Sequence, residues 1–220
     1  MTTTREARAL LRAHYPISAL KIRAYNAARL SVLPVPWVLS LLDDLEGTVL
    51  CLGCGYGTLE TVMAATHPKL EFAASDFNEE RIAVARSTVC GLPNIQFSTA
   101  DATQELPDAS YDNVFLSDLL HHLPAGEQEP LLQRLWQVVR PGGALVMKDL
   151  DVRPRWKCWW NHLHDRVVAG LPLTYLPADS YHAMLTRLGA RVQVSVPRTR
   201  LPYAHYAMIA VKPADAAAGE

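Results

Sequence analysis

Residues 49–57 read Val-Leu-Cys-Leu-Gly-Cys-Gly-Tyr-Gly. A short apolar strand (Val49, Leu50, Cys51, Leu52) runs into glycines at alternate positions, Gly53, Gly55 and Gly57. An amphipathic stretch follows, with Leu59, Val62, Met63 and Ala65 leading to His67-Pro68. Glycines in this pattern let the backbone turn sharply and let a ligand lie against bare main chain at the start of a helix. A dinucleotide fingerprint would be G-x-G-x-x-G, whose third glycine packs helix on strand. The spacing here is G-x-G-x-G, so a dinucleotide is the poorer fit.

A second strand, Leu70 to Ala74, ends in Ser75-Asp76, where a carboxylate can hold a ribose diol. A third, Asn94 to Ser98, is followed by Ala100-Asp101-Ala102, a second acid on the same predicted edge. Strand, glycine turn and two acids together resemble the class I S-adenosylmethionine-dependent methyltransferases, whose first motif is written (V/I/L)LDxGxGxG. The likeness covers residues 47–150, with a fainter echo to 212. It implies an α/β fold: a Rossmann-like, doubly wound, seven-stranded sheet, mostly parallel with the last strand antiparallel between the fifth and sixth.

The resemblance also implies a site. The loop Gly53-Cys54-Gly55 and Gly57 would pass beneath the methionine and ribose of S-adenosylmethionine. Asp76 would accept the ribose hydroxyls, Phe77 would flank the adenine, and Asp101 with the Ala102 N–H would meet the adenine edge. Ser117 and Asp118, closing the fourth strand, fall where the methyl group emerges. Arg23, Tyr25 and Arg29 are candidates for the methionine carboxylate. One position departs from the pattern: family members commonly carry an acid where Cys51 stands, near the cofactor's amino group. Its loss leaves the ammonium to backbone carbonyls or to another acid.

Composition bounds the rest. The chain has 220 residues, half of them hydrophobic, with mean hydropathy near zero. That is enough for a sizeable core in one domain. No apolar run approaches the roughly 20 residues a membrane span needs, and the N-terminus Met-Thr-Thr-Thr-Arg-Glu-Ala-Arg has no apolar signal core. Cys51, Cys54, Cys90 and Cys158 suit reduced thiols, which points to the cytoplasm. Cys51-Leu-Gly-Cys54 has zinc-like spacing, but no second pair accompanies it, and no metal is expected there. A net charge of −1 argues against broad nucleic-acid binding.

Along the chain, residues 1–46 read as an interrupted helical cap, with helical spacing over 7–15 and 19–32 closed by Pro34 and Pro36. Strands are predicted at 47–52, 70–75, 94–98, 111–117 and 143–149, and helices at 57–67, 78–90 and 126–140. Pro141-Gly142-Gly143 reads as a helix stop and turn. After the cofactor core (47–150) comes a Trp-rich helical insertion (151–177), with a helix over 155–169. It carries Trp156, Trp159, Trp160, Leu163 and Val167 on one face and Lys157, Asn161, His164 and Asp165 on the other. A helix at 178–188 and strands at 191–196 and 203–211 complete the sheet, and the tail from Pro213 reads as frayed.

Methyl transfer from a sulfonium needs an aligned nucleophile, exclusion of water and, for an acidic nucleophile, a base. Candidates gather after the fourth strand (Asp118, His121, His122) and at the end of the fifth (Lys148, Asp149). His121 is the preferred base because imidazole titrates near neutrality, while His122 reads as packing. Lys148, ending an otherwise apolar strand, is poorly explained by core packing. With Asp118 it matches half of the catalytic tetrad of RNA ribose 2′-O-methyltransferases, and an ion pair that shapes the pocket is the simpler reading. Asp118 and Asp149 also stand where catechol-type enzymes bind magnesium, though the asparagine expected next is Leu150.

Trp156, Trp160, His164 and Tyr175 are the candidate substrate contacts, walling an aromatic or lipophilic pocket; packing of the lid on the sheet is the alternative. The run Arg153-Pro-Arg155-Trp-Lys157 suits an anionic or carrier-bound acceptor. The sequence therefore points to O-methylation of a small aromatic or lipophilic molecule. RNA ribose methylation and a non-catalytic cofactor-binding protein remain the alternatives.

Overall fold

The computed structural model describes residues 2–17, 19–104, 106–107, 109–168 and 173–214, with backbone alone for 162–168. The chain divides into two compact units, Met1–Glu105 and Leu106–Glu220.

The first unit opens on α1 (Thr4–His14), whose start is fixed by a reciprocal cap: the Glu6 N–H donates to Thr3 Oγ1 at 3.2 Å, and the Thr3 N–H donates to Glu6 Oε2 at 2.7 Å. Helix α2 (Leu20–Val32) is held to α4 (Thr58–Thr66) by Thr58 Oγ1 donating to Asn26 Oδ1 at 2.7 Å, with both residues buried. Pro34 and Pro36 do not merely close α2. They open a short helix, α3 (Val35–Ser40), since proline's fixed φ suits a first helical turn. Strands β1 (Thr48–Leu52), β2 (Glu71–Asp76) and β3 (Ile95–Thr99) pair in parallel, with Leu52 opposite Ser75 and Asp76 opposite Thr99. The Asn94 side-chain amide donates to the carbonyls of Ala64, His67 and Leu70 (3.1, 3.3 and 3.0 Å), tying the α4–β2 turn to the start of β3. Helix α5 (Glu79–Thr88) is capped by Asn78, whose Oδ1 accepts from the Arg81 N–H at 3.0 Å.

In the second unit, β4 (Tyr111–Ser117) runs parallel to β5 (Val139–Leu150), and β7 (His205–Val211) lies antiparallel between β5 and β6 (Arg191–Ser195). The helices are α6 (Ala125–Val138), α7 (Arg155–Val168) and α8 (Ala178–Arg187). Pro141-Gly142-Gly143, expected as a turn before the strand, lies inside β5. Pairing slips between Tyr111 and Asn113, so the segment is a bulge, with Gly142 at φ 83°. A Cβ on Gly143 would come within 1.9 Å of the Asp112 carbonyl oxygen, which is why glycine stands there.

The seven strands form one sheet in the order β3-β2-β1-β4-β5-β7-β6. This is the expected doubly wound α/β arrangement, antiparallel last strand included. No helix among the described residues is long and apolar enough to cross a membrane.

Candidate functional site

In the first unit the apolar residues of β1 are all buried and the chain then turns through Gly53, Gly55 and Gly57 at φ 71°, 56° and 71°. These are left-handed conformations that only glycine adopts cheaply. A Cβ on Gly57 would meet the Phe97 ring at 2.5 Å, so this glycine lets α4 start against β3. Gly55 is different. The nearest atoms to its missing Cβ are the Tyr25 hydroxyl at 3.5 Å and Arg81 Nη1 at 4.0 Å, so a Cβ there would meet only ordinary contacts. Its N–H donates to Asp76 Oδ2 at 2.8 Å, and the Asn78 N–H donates to Asp76 Oδ1 at 2.9 Å. Asp76 is thereby a buried carboxylate locked to the loop.

The other expected residues of this half spread around that core. Tyr25 packs edge-on to Tyr56 at 5.0 Å between centroids, and Arg81 lies over the Tyr56 ring at 5.6 Å. Phe77, 68 % exposed, projects beside Asp76. Asp101 is exposed and accepts from the N–H and Oγ1 of Thr103 at 2.9 and 2.7 Å, a local turn that includes Ala102. Cys51 and Cys54 are buried free thiols, pushed well up by burial and secondarily by the charge of Glu60.

Glu60 itself, in the first turn of α4, is a residue that the sequence reading passed over as part of an amphipathic helix. It is buried, its Oε2 has no hydrogen-bond partner among the described residues, and burial pushes its carboxyl up to about 7. The backbone N–H of Glu60, first, and then the charge of Arg29 pull the other way.

In the second unit two acid–base pairs sit at the ends of β4 and β5. Successive strand residues point to opposite faces, so Lys148 and Asp149 serve different partners. Lys148, fully buried, is ion-paired with Asp118. Asp118 adopts φ 56°, a left-handed conformation that asparagine and aspartate tolerate better than most side chains. The turn is held by its N–H on the Lys148 carbonyl (2.9 Å) and by Ser117 Oγ donating to Asp118 Oδ2 (3.1 Å).

Asp149 accepts from His121 Nδ1 at 2.5 Å, with both side chains buried. The carboxylate is only an acceptor, so Nδ1 carries the proton and Nε2 the lone pair. The Leu150 N–H also donates to Asp149 Oδ1 at 2.8 Å, fixing the carboxylate. Tyr175 stacks on the His121 ring (4.8 Å, 16°), and the neighbouring Thr174 N–H donates to the His121 carbonyl at 2.8 Å. Gln128 holds the same loop, donating to the Thr174 carbonyl at 2.9 Å and accepting from the Tyr181 hydroxyl at 2.5 Å. Tyr206, on β7 directly opposite Asp149, is a buried phenol whose pKa is raised by burial first and by Asp149 next.

The structure thus brings His121 together with Asp149 and Tyr175, and Lys148 with Asp118. Both acids weighed as magnesium ligands face a basic side chain instead. Among the described residues no group of three or more His, Cys, Asp or Glu is placed to hold a metal ion.

The lid helix turns the other way from its expected orientation. Trp156, Trp159 and Trp160 are exposed on α7, 61 %, 65 % and 40 %, while Asn161 is wholly buried with neither amide atom hydrogen-bonded within the described residues. Lys157, one turn earlier on the Asn161 face, donates to the Tyr203 carbonyl at 3.2 Å and so ties that face to the chain entering β7. Trp156 and Trp160 therefore present an open surface. The side chains of His162, His164 and Asp165 lie outside the described residues.

A glycine loop locked to a buried acid, on this strand order, defines the class I methyltransferase type of α/β protein. Residues 49–143 match the model of a methyltransferase domain. Among solved structures, an O-methyltransferase family protein from Burkholderia thailandensis aligns with TM-score 0.71 at 20% identity, covering 88% of this chain and 60% of that one. Human N-acetylserotonin methyltransferase in complex with S-adenosylmethionine aligns with TM-score 0.70 at 20% identity, covering 96% and 57%. By sequence, the trans-aconitate 2-methyltransferase of Methylobacterium radiotolerans is 30% identical over 154 residues, 65% of this chain and 57% of that protein. The chain spans between about 40% and 60% of the length of the trans-aconitate relatives it matches. Residues 49–143 thus resemble methyltransferase domains, and the chain has the Rossmann-like fold of the class I S-adenosylmethionine-dependent methyltransferases.

Proposed function

We propose that the protein transfers a methyl group from S-adenosylmethionine to an oxygen of a small aromatic or lipophilic molecule, with His121 as general base. The observation that carries this reading is the buried His121–Asp149 pair at 2.5 Å, which leaves Nε2 as the basic nitrogen beneath the stacked Tyr175 ring.

The residues of the first unit fit the cofactor. Asp76 spends one lone pair per oxygen on backbone N–H groups, and a carboxylate has about four, so it retains capacity for two ribose hydroxyls. Gly53 and Gly55 leave bare main chain, Phe77 offers a free aromatic face, and Tyr25 stands at the loop. Cys54, Gly57, Asp101 and Ala102 complete the proposed set in this unit. When bound, the cofactor supplies an electrophilic methyl on a sulfonium sulfur.

The chain's own task is then to position an acceptor hydroxyl and take its proton. His121 Nε2 accepts that proton. Asp149 keeps the ring in the productive tautomer and steadies the imidazolium that forms, as a carboxylate behind a catalytic imidazole does. Tyr175 is the substrate-side aromatic, and Trp156, Trp160 and His164 are proposed as its companions on the lid. The trans-aconitate 2-methyltransferase relatives support a small-molecule acceptor.

The test is transfer of labelled methyl from S-adenosylmethionine to a panel of phenols, quinols and unsaturated carboxylic acids. Turnover of a phenol or quinol that falls 10²- to 10⁴-fold in His121→Ala is expected for a general base. Undiminished turnover in that variant would contradict the role. The Lys148–Asp118 pair favours a second reading, ribose 2′-O-methylation with Lys148 as the catalytic group. Methylation of RNA in place of the small-molecule panel, abolished by Lys148→Met, would select it.

A further inference from the structure

A buried carboxylate without a full set of hydrogen bonds is costly, because desolvation penalises its charged form and no donor repays it. Glu60 is such a group. It stands three residues after Gly57, at the third position of α4, and its Oε2 is buried and without a donor among the described residues. Packing gives no reason for an acid there, since Leu59, Val62 and Met63 already supply the apolar face of the helix. The groups whose charges reach it place it at the glycine loop. Its charge is felt by the thiols of Cys51 and Cys54, which end β1 and enter the loop, and it in turn feels Asp76 and Arg29. Arg29 acts on it only through its charge, and no Glu60–Arg29 hydrogen bond occupies Oε2.

Two acids, Glu60 and Asp76, therefore stand at one loop; the charge of Arg29 reaches Glu60, and Arg81 Nη1 lies 4.0 Å from where a Cβ on Gly55 would stand. Asp76 has its donors, Gly55 and Asn78, whereas Glu60 Oε2 has none. What Glu60 Oε2 lacks is a donor, and a primary ammonium supplies both the charge and the N–H. The position usually acidic in the superfamily is Cys51, a neutral thiol in this chain.

We infer that Glu60 is the residue that receives the α-ammonium of the cofactor's amino-acid moiety, taking over from the acid absent at Cys51. The inference rests on the cofactor reading above and assigns to it a residue that the loop motif does not contain. Arg29, beside it, suits the carboxylate of the same zwitterion.

Binding would convert Glu60 from a partly protonated carboxyl into an ion-paired carboxylate. The fraction of a proton that Glu60 carries near neutral pH then leaves for the buffer as the ammonium, already charged, arrives. The titratable and charged groups around it, Arg29, Asp76, Cys51 and Cys54, are the same in the free and bound chain, and neither thiol ionises in this range.

Calorimetric titration of the full chain tests this, using S-adenosylhomocysteine, which carries the amino-acid moiety, and 5′-methylthioadenosine, which lacks it. Wild type should bind both, and Glu60→Gln should lose at least about tenfold on the homocysteine compound with methylthioadenosine unchanged, as expected for loss of a charge-assisted hydrogen bond. Wild-type titrations at pH 7 in two buffers of different ionisation enthalpy should also show release of a fraction of a proton for the first ligand only. Equal loss on both ligands, no loss on either, or no proton release would overturn the assignment and leave the cofactor reading standing. Failure of wild type to bind either ligand would remove the cofactor reading itself. Should Glu60→Gln fail to fold, the proton-release measurement on wild type decides alone.

Discussion

Replacing Glu60 by glutamine should stabilise the protein in alkaline buffer and leave it nearly unchanged in acid. Burial raises the Glu60 carboxyl from 4.5 to about 7. For an acid displaced upward, the folded chain binds more protons than the unfolded one between those two values, so stability falls as pH rises through that window. At 1.36 kcal/mol per pH unit, the window from 4.5 to about 7 amounts to about 3 kcal/mol of destabilisation above pH 7. Glutamine keeps the shape and hydrogen-bonding capacity of the protonated acid and cannot ionise. Paired urea denaturation of wild type and Glu60→Gln at pH 5, 6, 7 and 8, without ligand, isolates this group, because every other titration appears in both curves. The difference should be small at pH 5 and grow to about 2–3 kcal/mol in favour of the variant at pH 8. A difference that stays flat across the series, or a variant weaker at pH 8, would refute the argument that this carboxylate is buried without adequate partners.

Other perturbations separate the remaining roles. Asp149→Asn should lower turnover about as far as His121→Ala if the carboxylate sets the imidazole tautomer, with affinity for S-adenosylhomocysteine unchanged; steady-state kinetics beside calorimetry reads both. Lys148→Met should cost about 3–5 kcal/mol in urea unfolding by removing the buried cation that faces Asp118, and Lys148→Met with Asp118→Asn should recover much of that loss. Gly57→Ala should destabilise strongly, since a Cβ there meets Phe97 at 2.5 Å and φ is 71°, whereas Gly55→Ala, with only ordinary contacts at 3.5 Å and beyond and φ 56°, should cost only the smaller left-handed penalty of about 1–2 kcal/mol. Asn161→Leu should leave stability equal or higher, because it removes a buried amide with neither end bonded; a clear loss in thermal unfolding would mean that the amide has partners in solution.

The parallel core was legible because its signals are local. An apolar strand, alternate glycines and an acid at the next strand tip are contiguous in sequence, and β1, β2 and β3 lie within one residue of their expected starts. Pro34 and Pro36 misled because proline ends one helix and opens another by the same fixed φ. Pro141-Gly142-Gly143 reads as a turn from composition alone, yet pairing with β4 on one side and β7 on the other extends the strand through it as a bulge.

The acid–base pairs were legible in part. The Lys148–Asp118 ion pair was readable from the sequence and His121 stood out alone, but the assignment of Asp149 to His121 depends on strand alternation across 28 residues of separation. Glu60 was hidden because a glutamate in a first helical turn is ordinarily a solvated dipole partner, and only its burial distinguishes it. The lid was read in the wrong sense for a physical reason. An amphipathic stripe tells which residues share a face but not which face meets protein, and in α7 Asn161 turns inward while Trp156 and Trp159 meet solvent.

The central claim is that the loop Gly53–Gly57 with Asp76 holds S-adenosylmethionine. Calorimetric titration of purified protein with S-adenosylhomocysteine, beside NAD, tests it most directly. The account predicts one-to-one micromolar binding of S-adenosylhomocysteine, none of NAD, and loss of binding in Asp76→Ala. A folded protein that takes up no S-adenosylhomocysteine, or binds it equally well in Asp76→Ala, would contradict it.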